Sequence, residues 1–272
     1  MNPLVSIIIP CYNSTKFIEE TLNSVKQQTY SNWECVIVDN GSKDNSVEVI
    51  ERFIKNQNTF QLFKIEQSGV SNARNFAISK SKGKYILPLD SDDLIDKTYI
   101  EKAVLVLEKS ADIKLVYSDA VYFGAIQKDW ILPEYSFKNL LILNGIFSSA
   151  VYRKADFDKT KGYNESMKEG LEDWDFWISF LNEGDKVYKI PEKLFHYRIR
   201  TESRNNSLDL ELRKKLRRQI FENHKDKFAK CFLNADFIHE HYLLLNELEQ
   251  IKNSRTYKLG KLILSPFSVF KK

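Results

Sequence analysis

Asp90-Ser91-Asp92-Asp93 places three carboxylates directly behind the apolar run at residues 85–89. That run, with Gly83 in front and charge behind, reads as a buried strand. Carboxylates at the C-terminal end of such a strand lie in the crevice where open α/β sheets bind ligands. Their mutual repulsion is relieved by a hard divalent cation; Mg²⁺ and Mn²⁺ prefer oxygen ligands and bridge to phosphates. A turn rich in acids, with Asp93 capping the next helix, is the plain alternative.

Four more groups carry chemistry. Asp39 closes an apolar run at 34–39 and precedes Asn40-Gly41-Ser42. An acid there can accept a hydrogen bond from an imide N–H or a ribose hydroxyl, which suits a uridine-type nucleotide, or it can close an Asx-turn. Arg74 follows Gly69 at the start of a helical stretch. It is a permanent planar cation for a diphosphate or for the acids, or a surface arginine. Glu172 and Asp173 open a segment containing Trp174, Phe176 and Trp177. Acids there suit a helix N-terminus, and one of them can act as a general base in a pocket dried by the rings. His196, within Phe195-His196-Tyr197-Arg198, can complete a metal shell or serve structure alone.

The elements that must position these groups alternate. Strand-like runs at 5–10, 34–39, 60–65 and 85–89 are separated by helical stretches at 15–28, about 46–54 and 70–79, the second capped by Asp44 or Ser46. This implies right-handed crossovers and a mainly parallel sheet covered by helices. A helix over 96–109 and a strand over 114–123 follow, then a strand at 148–152, a helix at 174–182 and two short strands at 187–190 and 194–197. From Leu208 the period is helical. The expected organisation is an α/β domain over 1–207, with halves at about 1–95 and 96–207, and a helical region over 208–272. The weakest point of the chain falls near Arg204-Asn205-Asn206.

Composition narrows the class. Hydrophobic residues make up 43% and charged ones 29% of the 272 residues, the balance of an ordinary globular protein. Neither a secretory leader nor a membrane-spanning run is expected. Cys11, Cys35 and Cys231 are scattered and odd in number, which suits a reducing cytoplasm. A net charge of +4 is too mild to imply nucleic-acid binding. The first strand ends in Pro10-Cys11-Tyr12-Asn13, where a dinucleotide-binding domain has a G-x-G-x-x-G turn, so the oxidoreductase reading loses its main support.

Residues 6–13, Val38-Asp39-Asn40-Gly41-Ser42, Ala73-Arg74-Asn75, Leu89-Asp90-Ser91-Asp92-Asp93 and Glu172-Asp173-Trp174-Asp175 resemble, in order and spacing, the motifs of family 2 glycosyltransferases. The resemblance covers about residues 4–203. It implies the GT-A fold, Rossmann-like with a mainly parallel sheet flanked by helices, here with a helical C-terminal extension. It further implies that Asp39 reads the base, that Pro10 and Tyr12 line the same pocket, and that Arg74 helps hold the nucleotide. Asp90, with Ser91 beside it, would approach the ribose or metal shell; Asp92 would bind Mn²⁺ or Mg²⁺, and Asp173 would be the catalytic base. After Tyr197-Arg198 many relatives carry a histidine, whereas this chain reads Ile199-Arg200-Thr201. Arg198 or Arg200 is therefore the candidate for the diphosphate, and Glu172 and Trp174 are candidates for acceptor or diphosphate contacts.

The resulting expectation is a metal-dependent inverting glycosyltransferase. It would move a sugar from a nucleoside diphosphate, with UDP favoured, to a glycan or lipid-linked acceptor in cell-surface polysaccharide synthesis. A nucleotidyltransferase would want a Gly-rich phosphate loop after the first strand, and a silent sugar-nucleotide-binding scaffold would need neither Asp92 nor Asp173. Residues 253–272 contain no acid and interleave Arg255, Lys258, Lys261, Lys271 and Lys272 with apolar residues. Leu259, Leu262, Ile263, Phe267 and Phe270 fall near one helical face, and Pro266 should kink or end it. Such a tail suits peripheral attachment to the inner face of the cell membrane, or docking on the protein's own surface or on a second subunit through the C-terminal helices.

Overall fold

A computed structural model describes residues 2–66, 69–200, 209–233 and 235–264. The chain opens with β1 (Val5–Cys11), buried along its whole length, then α1 (Ile18–Lys26), β2 (Trp33–Asp39), α2 (Ser46–Ile54), β3 (Phe60–Lys64), α3 (Val70–Lys80) and β4 (Tyr85–Pro88). These strands lie parallel in the order β3-β2-β1-β4. The near-continuous apolar sequence of β1 and β2 follows from burial on both faces. α1 turns Ile18, Leu22 and Val25 inward, with Glu19 and Glu20 in its first turn and Lys26 in its last, which complements the helix dipole.

The expected cap of α2 differs. Asn45 holds that position without a side-chain cap bond, while the Asp44 carboxylate accepts the Ser46 N–H at 3.0 Å. The Ser46 hydroxyl oxygen accepts from the Ser14 amide at 2.7 Å. Both residues thus tie the start of α2 to the loop after β1.

The sheet continues with β5 (Leu94–Ile95), α4 (Tyr99–Lys109), β6 (Ile113–Gly124), β7 (Lys128–Trp130), α5 (Phe137–Ile142), β8 (Val151–Arg153), α6 (Lys154–Phe157), α7 (Glu172–Phe180) and β9 (Lys186–Ile199). The nine-stranded sheet runs β3-β2-β1-β4-β8-β6-β9-β5, with β7 paired to β6. Its second half is mixed: β8 is antiparallel to β4 and β6, whereas β9 is parallel to β6. The two short strands expected at 187–190 and 194–197 are one strand with an irregularity. Its pairing shifts register around Ser118 and Asp119, and Pro191, which has no N–H to give the ladder, sits at that break.

Two compact units are present, residues 1–223 and 224–272. The first extends beyond residue 207 because α8 (Leu210–Asn223) buries Leu216 and Ile220. The break expected at residues 204–206 lies outside the described residues. The second unit holds α9 (Lys225–Phe232), α10 (Ala235–Asn253) and α11 (Arg255–Leu264). Tyr242, Leu243, Leu244, Leu248, Ile251, Tyr257 and Leu259 are exposed there. Pro266, Phe267 and Phe270 fall outside the described residues, and among the latter no helix is long and apolar enough to cross a membrane.

Candidate active site

Two cavities open at the C-terminal ends of the parallel strands. The first, about 200 Å³, is lined by Pro10, Tyr12, Asn40, Asp90, Ser91, Asp92, Arg198 and Arg200, among others. The second, about 320 Å³, is lined by Asp173, Asn144, Arg213 and the rings of Trp130, Phe147 and Tyr197. Arg74, Asp90, Glu172 and Tyr197 line both, so the two cavities share a wall.

Arg74 is the hub of that wall. Gly69 at φ +129° lets the chain turn sharply into α3, which sets Arg74 beneath the cavities. Its guanidinium is 1% exposed and bonds Asp90 at 2.6 Å and Glu172 at 3.1 Å, over the Tyr163 ring. Burial opposes its charge, yet Asp90 and Glu172 hold it protonated above its ordinary range. Of the roles the sequence left open for Arg74, a diphosphate, the acids or an exposed surface, the structure pairs it with two carboxylates.

The acids behind β4 take different positions. Asp90 bonds Arg74 through one oxygen and accepts from the Ser148 hydroxyl at 3.3 Å through the other. Asp92 pairs with Arg200 at 2.9 Å, and burial raises its carboxyl above the usual range. Asp93 is 1% exposed and does not cap a helix; it accepts the Arg198 amide at 2.8 Å across to β9. Burial, with Asp92 and Asp90 adding, pushes its carboxyl well up. Ser91 lines the first cavity with its hydroxyl bonded to that of Ser14 at 2.6 Å.

Asp39 makes the Asx-type turn: one carboxylate oxygen accepts from the Gly41 and Ser42 amides at 3.2 Å. Its other oxygen is buried and unpartnered within the protein. Pro10 is part of the wall, and Tyr12, 56% exposed, stands at the rim. Cys11 also lines the cavity, but burial and Asp39 push its thiol up to about 12, so it is an unreactive wall.

Asp173, half-buried at the start of α7, accepts from its neighbour's amide at Trp174, 2.8 Å, and from the Asn144 side chain at 3.1 Å. Burial, then Glu172, push its carboxyl up to about 6 against the pull of Arg74. A carboxyl so placed is a base at neutral pH that can still hold a proton.

Three expectations change in position. His196 lines neither cavity; its ring lies 6.2 Å from Phe123, and burial lowers its pKa against the pull of Asp96. It is not among the residues that line the cavity beside Asp92. Trp174 is 3% exposed and donates its indole N–H to the Leu140 carbonyl at 2.6 Å, leaving no face for an acceptor. Phe176 and Trp177 are buried with Tyr152, Tyr163 and Phe180. The rings that line the second cavity are Trp130, Phe147 and Tyr197, and only Tyr197 stood in a recognisable motif. Arg198 braces β9: it donates to the Asp92 carbonyl at 2.7 Å, pairs with Glu20 at 2.5 Å and stacks over Phe17 and Phe123. Arg200 is the arginine turned to the cavity acids.

Among the described residues no three His, Cys, Asp or Glu side chains converge as a closed metal site. The donor set still fits a hard cation, because Mg²⁺ and Mn²⁺ at phosphates typically take one or two carboxylates, with waters and phosphate oxygens completing the shell. Asp92, lining the cavity beside Asp90, has that character.

A parallel half-sheet running into a mixed half, with carboxylates at its central strand ends, is the GT-A arrangement. The same fold occurs in S. aureus TarS 1-349 in complex with UDP-GlcNAc, with a TM-score of 0.67 at 22% identity over 93% of this chain and 74% of that one. It also occurs in the mannosyltransferase PcManGT from Pyrobaculum calidifontis in complex with GDP-Man and Mn²⁺, with a TM-score of 0.60 at 16% identity over 97% and 85%. Residues 6–160 match the family described as glycosyl transferase family 2. Glycosyltransferase GlyG of Streptococcus pneumoniae serotype 4 is 29% identical over 86% of this chain and 82% of its own length. The chain belongs to glycosyl transferase family 2 and is a glycosyltransferase.

Proposed function

We propose that the first cavity takes a nucleoside diphosphate sugar, with uridine favoured, and that the second takes an acceptor hydroxyl, in cell-surface polysaccharide synthesis. The observation that carries this reading is the shared wall of Arg74, Asp90, Glu172 and Tyr197, with Asp92 on one side and Asp173 on the other. A sugar lying against that wall presents its anomeric carbon to both. Asp39 lies behind the wall of the first cavity, next to Asn40 that lines it, and its unpartnered buried oxygen would suit an imide N–H that reached it. Support for the donor class comes from TarS, a poly(ribitol-phosphate) beta-N-acetylglucosaminyltransferase whose structure holds UDP-GlcNAc.

Asp173 removes the proton from the acceptor oxygen as that oxygen attacks the anomeric carbon. The bond to the diphosphate oxygen breaks on the opposite face, and the leaving oxygen keeps the electron pair, so configuration inverts. General-base assistance of this kind contributes roughly 10²–10⁴ in rate. Arg74 keeps Asp90 and Glu172 oriented, and Trp130, Phe147 and Tyr197 exclude water from the attack path. A divalent cation held through Asp92 would neutralise charge on the departing diphosphate; the PcManGT structure, a complex with GDP-Man and Mn²⁺, supports a cation of that kind. Arg200 would then turn from Asp92 to the phosphates.

Calorimetric titration with UDP and GDP, with and without Mn²⁺, tests the donor side. UDP should bind more tightly than GDP, Mn²⁺ should strengthen UDP binding by about tenfold or more, and Asp92→Ala should abolish that gain. Mn²⁺-dependent affinity retained in the variant contradicts the assignment.

A further inference from the structure

Asp173 is held at both oxygens, and one of the two holders lies outside its own helix. One oxygen accepts the neighbouring Trp174 N–H at 2.8 Å, a contact local to α7. The other accepts the Asn144 side-chain N–H at 3.1 Å, from a segment 29 residues earlier in the chain. Asn144 lines the second cavity beside Asp173. We propose that Asn144 is a positioning residue for the reaction, holding the Asp173 carboxylate in the orientation and the ionised form that take the acceptor proton. This rests on the reading of Asp173 as the general base.

The segment that carries Asn144 is anchored on both sides. Before it, α5 buries Phe137, Leu140 and Leu141, and the Leu140 carbonyl accepts the Trp174 indole N–H at 2.6 Å. That bond pins α5 to α7 one residue beyond Asp173. After it, Ile146 and Phe147 are buried, with Phe147 stacked on Phe195 at 4.2 Å between ring centres. The segment then reaches Ser148, whose hydroxyl donates to Asp90 at 3.3 Å. Residues 144–148 thus hold Asp90 in the shared wall and Asp173 beyond it.

The amide is placed at a cost to the fold. Its carbonyl oxygen is buried without a hydrogen-bond partner, and a buried polar group left unsatisfied is destabilising. Turning the amide over would set that oxygen against an ionised carboxylate, which accepts hydrogen bonds and donates none. The orphaned oxygen is the consequence of presenting the N–H to an ionised Asp173, and a side chain kept for packing alone would need no amide here. Charged and titratable groups around Asp173 are Glu172 on its own helix, Arg74 on α3, Tyr163 in the loop before α7, and Asp90 and Arg213 along the same cavity. Burial and Glu172 favour the protonated acid, and Arg74 opposes them. The Asn144 bond adds to that opposition without adding charge to the cavity.

The test reads the Asp173 carboxyl directly in the full chain. Aspartate labelled with ¹³C at the side-chain carboxyl is followed by NMR through a pH titration, and the Asp173 signal is assigned by its loss in Asp173→Asn. It should titrate near 6 in the unaltered protein. It should titrate higher in Asn144→Leu, which keeps the volume and removes the donor, because the lost bond favoured the ionised form. Asn144→Ala, smaller and without the new apolar branch, should move it in the same direction. Asn144→Gln, which keeps the amide, should lie closer to the unaltered protein. Asn139→Leu, on the same helix, with its amide bonded to the Glu134 carbonyl, should leave it in place. In the same samples kcat for sugar release from UDP-GlcNAc with Mn²⁺ at pH 7 should fall about tenfold or more in Asn144→Leu. Donor KM and UDP affinity should be unchanged, whereas a merely structural role would move them too, and part of the rate should return as pH rises past the new inflection. A titration unmoved in both Asn144→Leu and Asn144→Ala, or an unmoved kcat, overturns the proposal. Failure of the base reading looks different: Asp173→Asn then turns over like the unaltered enzyme, whatever the Asn144 variants do.

Discussion

The two oxygens of Asp173 have different partners, an amide N–H of its own helix and the side chain of Asn144. Asn144 donates there while its own carbonyl oxygen is buried and unpartnered. A neutral amide at position 173 is accommodated by a flip of Asn144, which then accepts from it. The consequence for stability has a definite sign. A carboxyl raised to about 6 in the folded state binds its proton more tightly than in the unfolded chain. Its contribution is fully present below the unfolded value, near 4, and is lost as pH rises through about 6. Asp173→Asn should therefore stabilise the fold at pH 7, by on the order of 1–3 kcal/mol, and change it little at pH 4. Melting curves of both proteins at the two pH values check this, and an equal difference at both would remove the burial argument. By the same titration, kcat/KM of the unaltered enzyme should rise through about pH 6 and level off above it.

At the scale of elements, close contact between β1 and the turn into β4 fixes the carboxylates behind β4. The Gly83 N–H donates to the Ser6 hydroxyl oxygen at 2.8 Å, and that hydroxyl donates to Glu34 at 2.6 Å. A Cβ on Gly83 would stand 2.6 Å from the Ser6 backbone nitrogen, which has no room to move in a central strand. Gly83→Ala should cost about 1–3 kcal/mol and lower the melting temperature by several degrees; an unchanged melting temperature would show that the turn is looser than this packing implies. The parallel half was legible in the sequence because buried strands leave unbroken apolar runs, and Asp90, Asp92 and Asp173 stood at recognisable ends of elements. The mixed half was not. Nothing local in residues 186–199 says that they pair parallel to β6, or that the shift at Pro191 is an irregularity and not a gap. Trp130 ends a three-residue strand, and Asn144 and Phe147 lie in irregular stretches; none has a readable period, so only tertiary packing reveals that they line the cavity of Asp173. Trp174 misled for the opposite reason: its neighbours in sequence are site acids, but one step along a helix turns the ring about 100° into the core.

At the scale of the molecule, the acidic site belongs to residues 1–223, while basic and apolar residues gather toward the C-terminus. Attachment of that region to an anionic membrane is a proposal that suits a lipid-linked acceptor. It predicts that the full chain sediments with anionic vesicles at low salt and that a version ending at Lys252 does not; equal behaviour of the two removes the tail from the account. The central claim is that donor binding and proton removal lie on opposite sides of one wall, and its most direct measurement compares the unaltered enzyme with Asp173→Asn. UDP affinity in the presence of Mn²⁺ and the rate of sugar release or transfer from UDP-GlcNAc are determined on the same preparations. The predicted result is unchanged UDP affinity with a rate reduced by about 10² or more. A variant that turns over at the rate of the unaltered enzyme, or that loses UDP binding together with turnover, contradicts it.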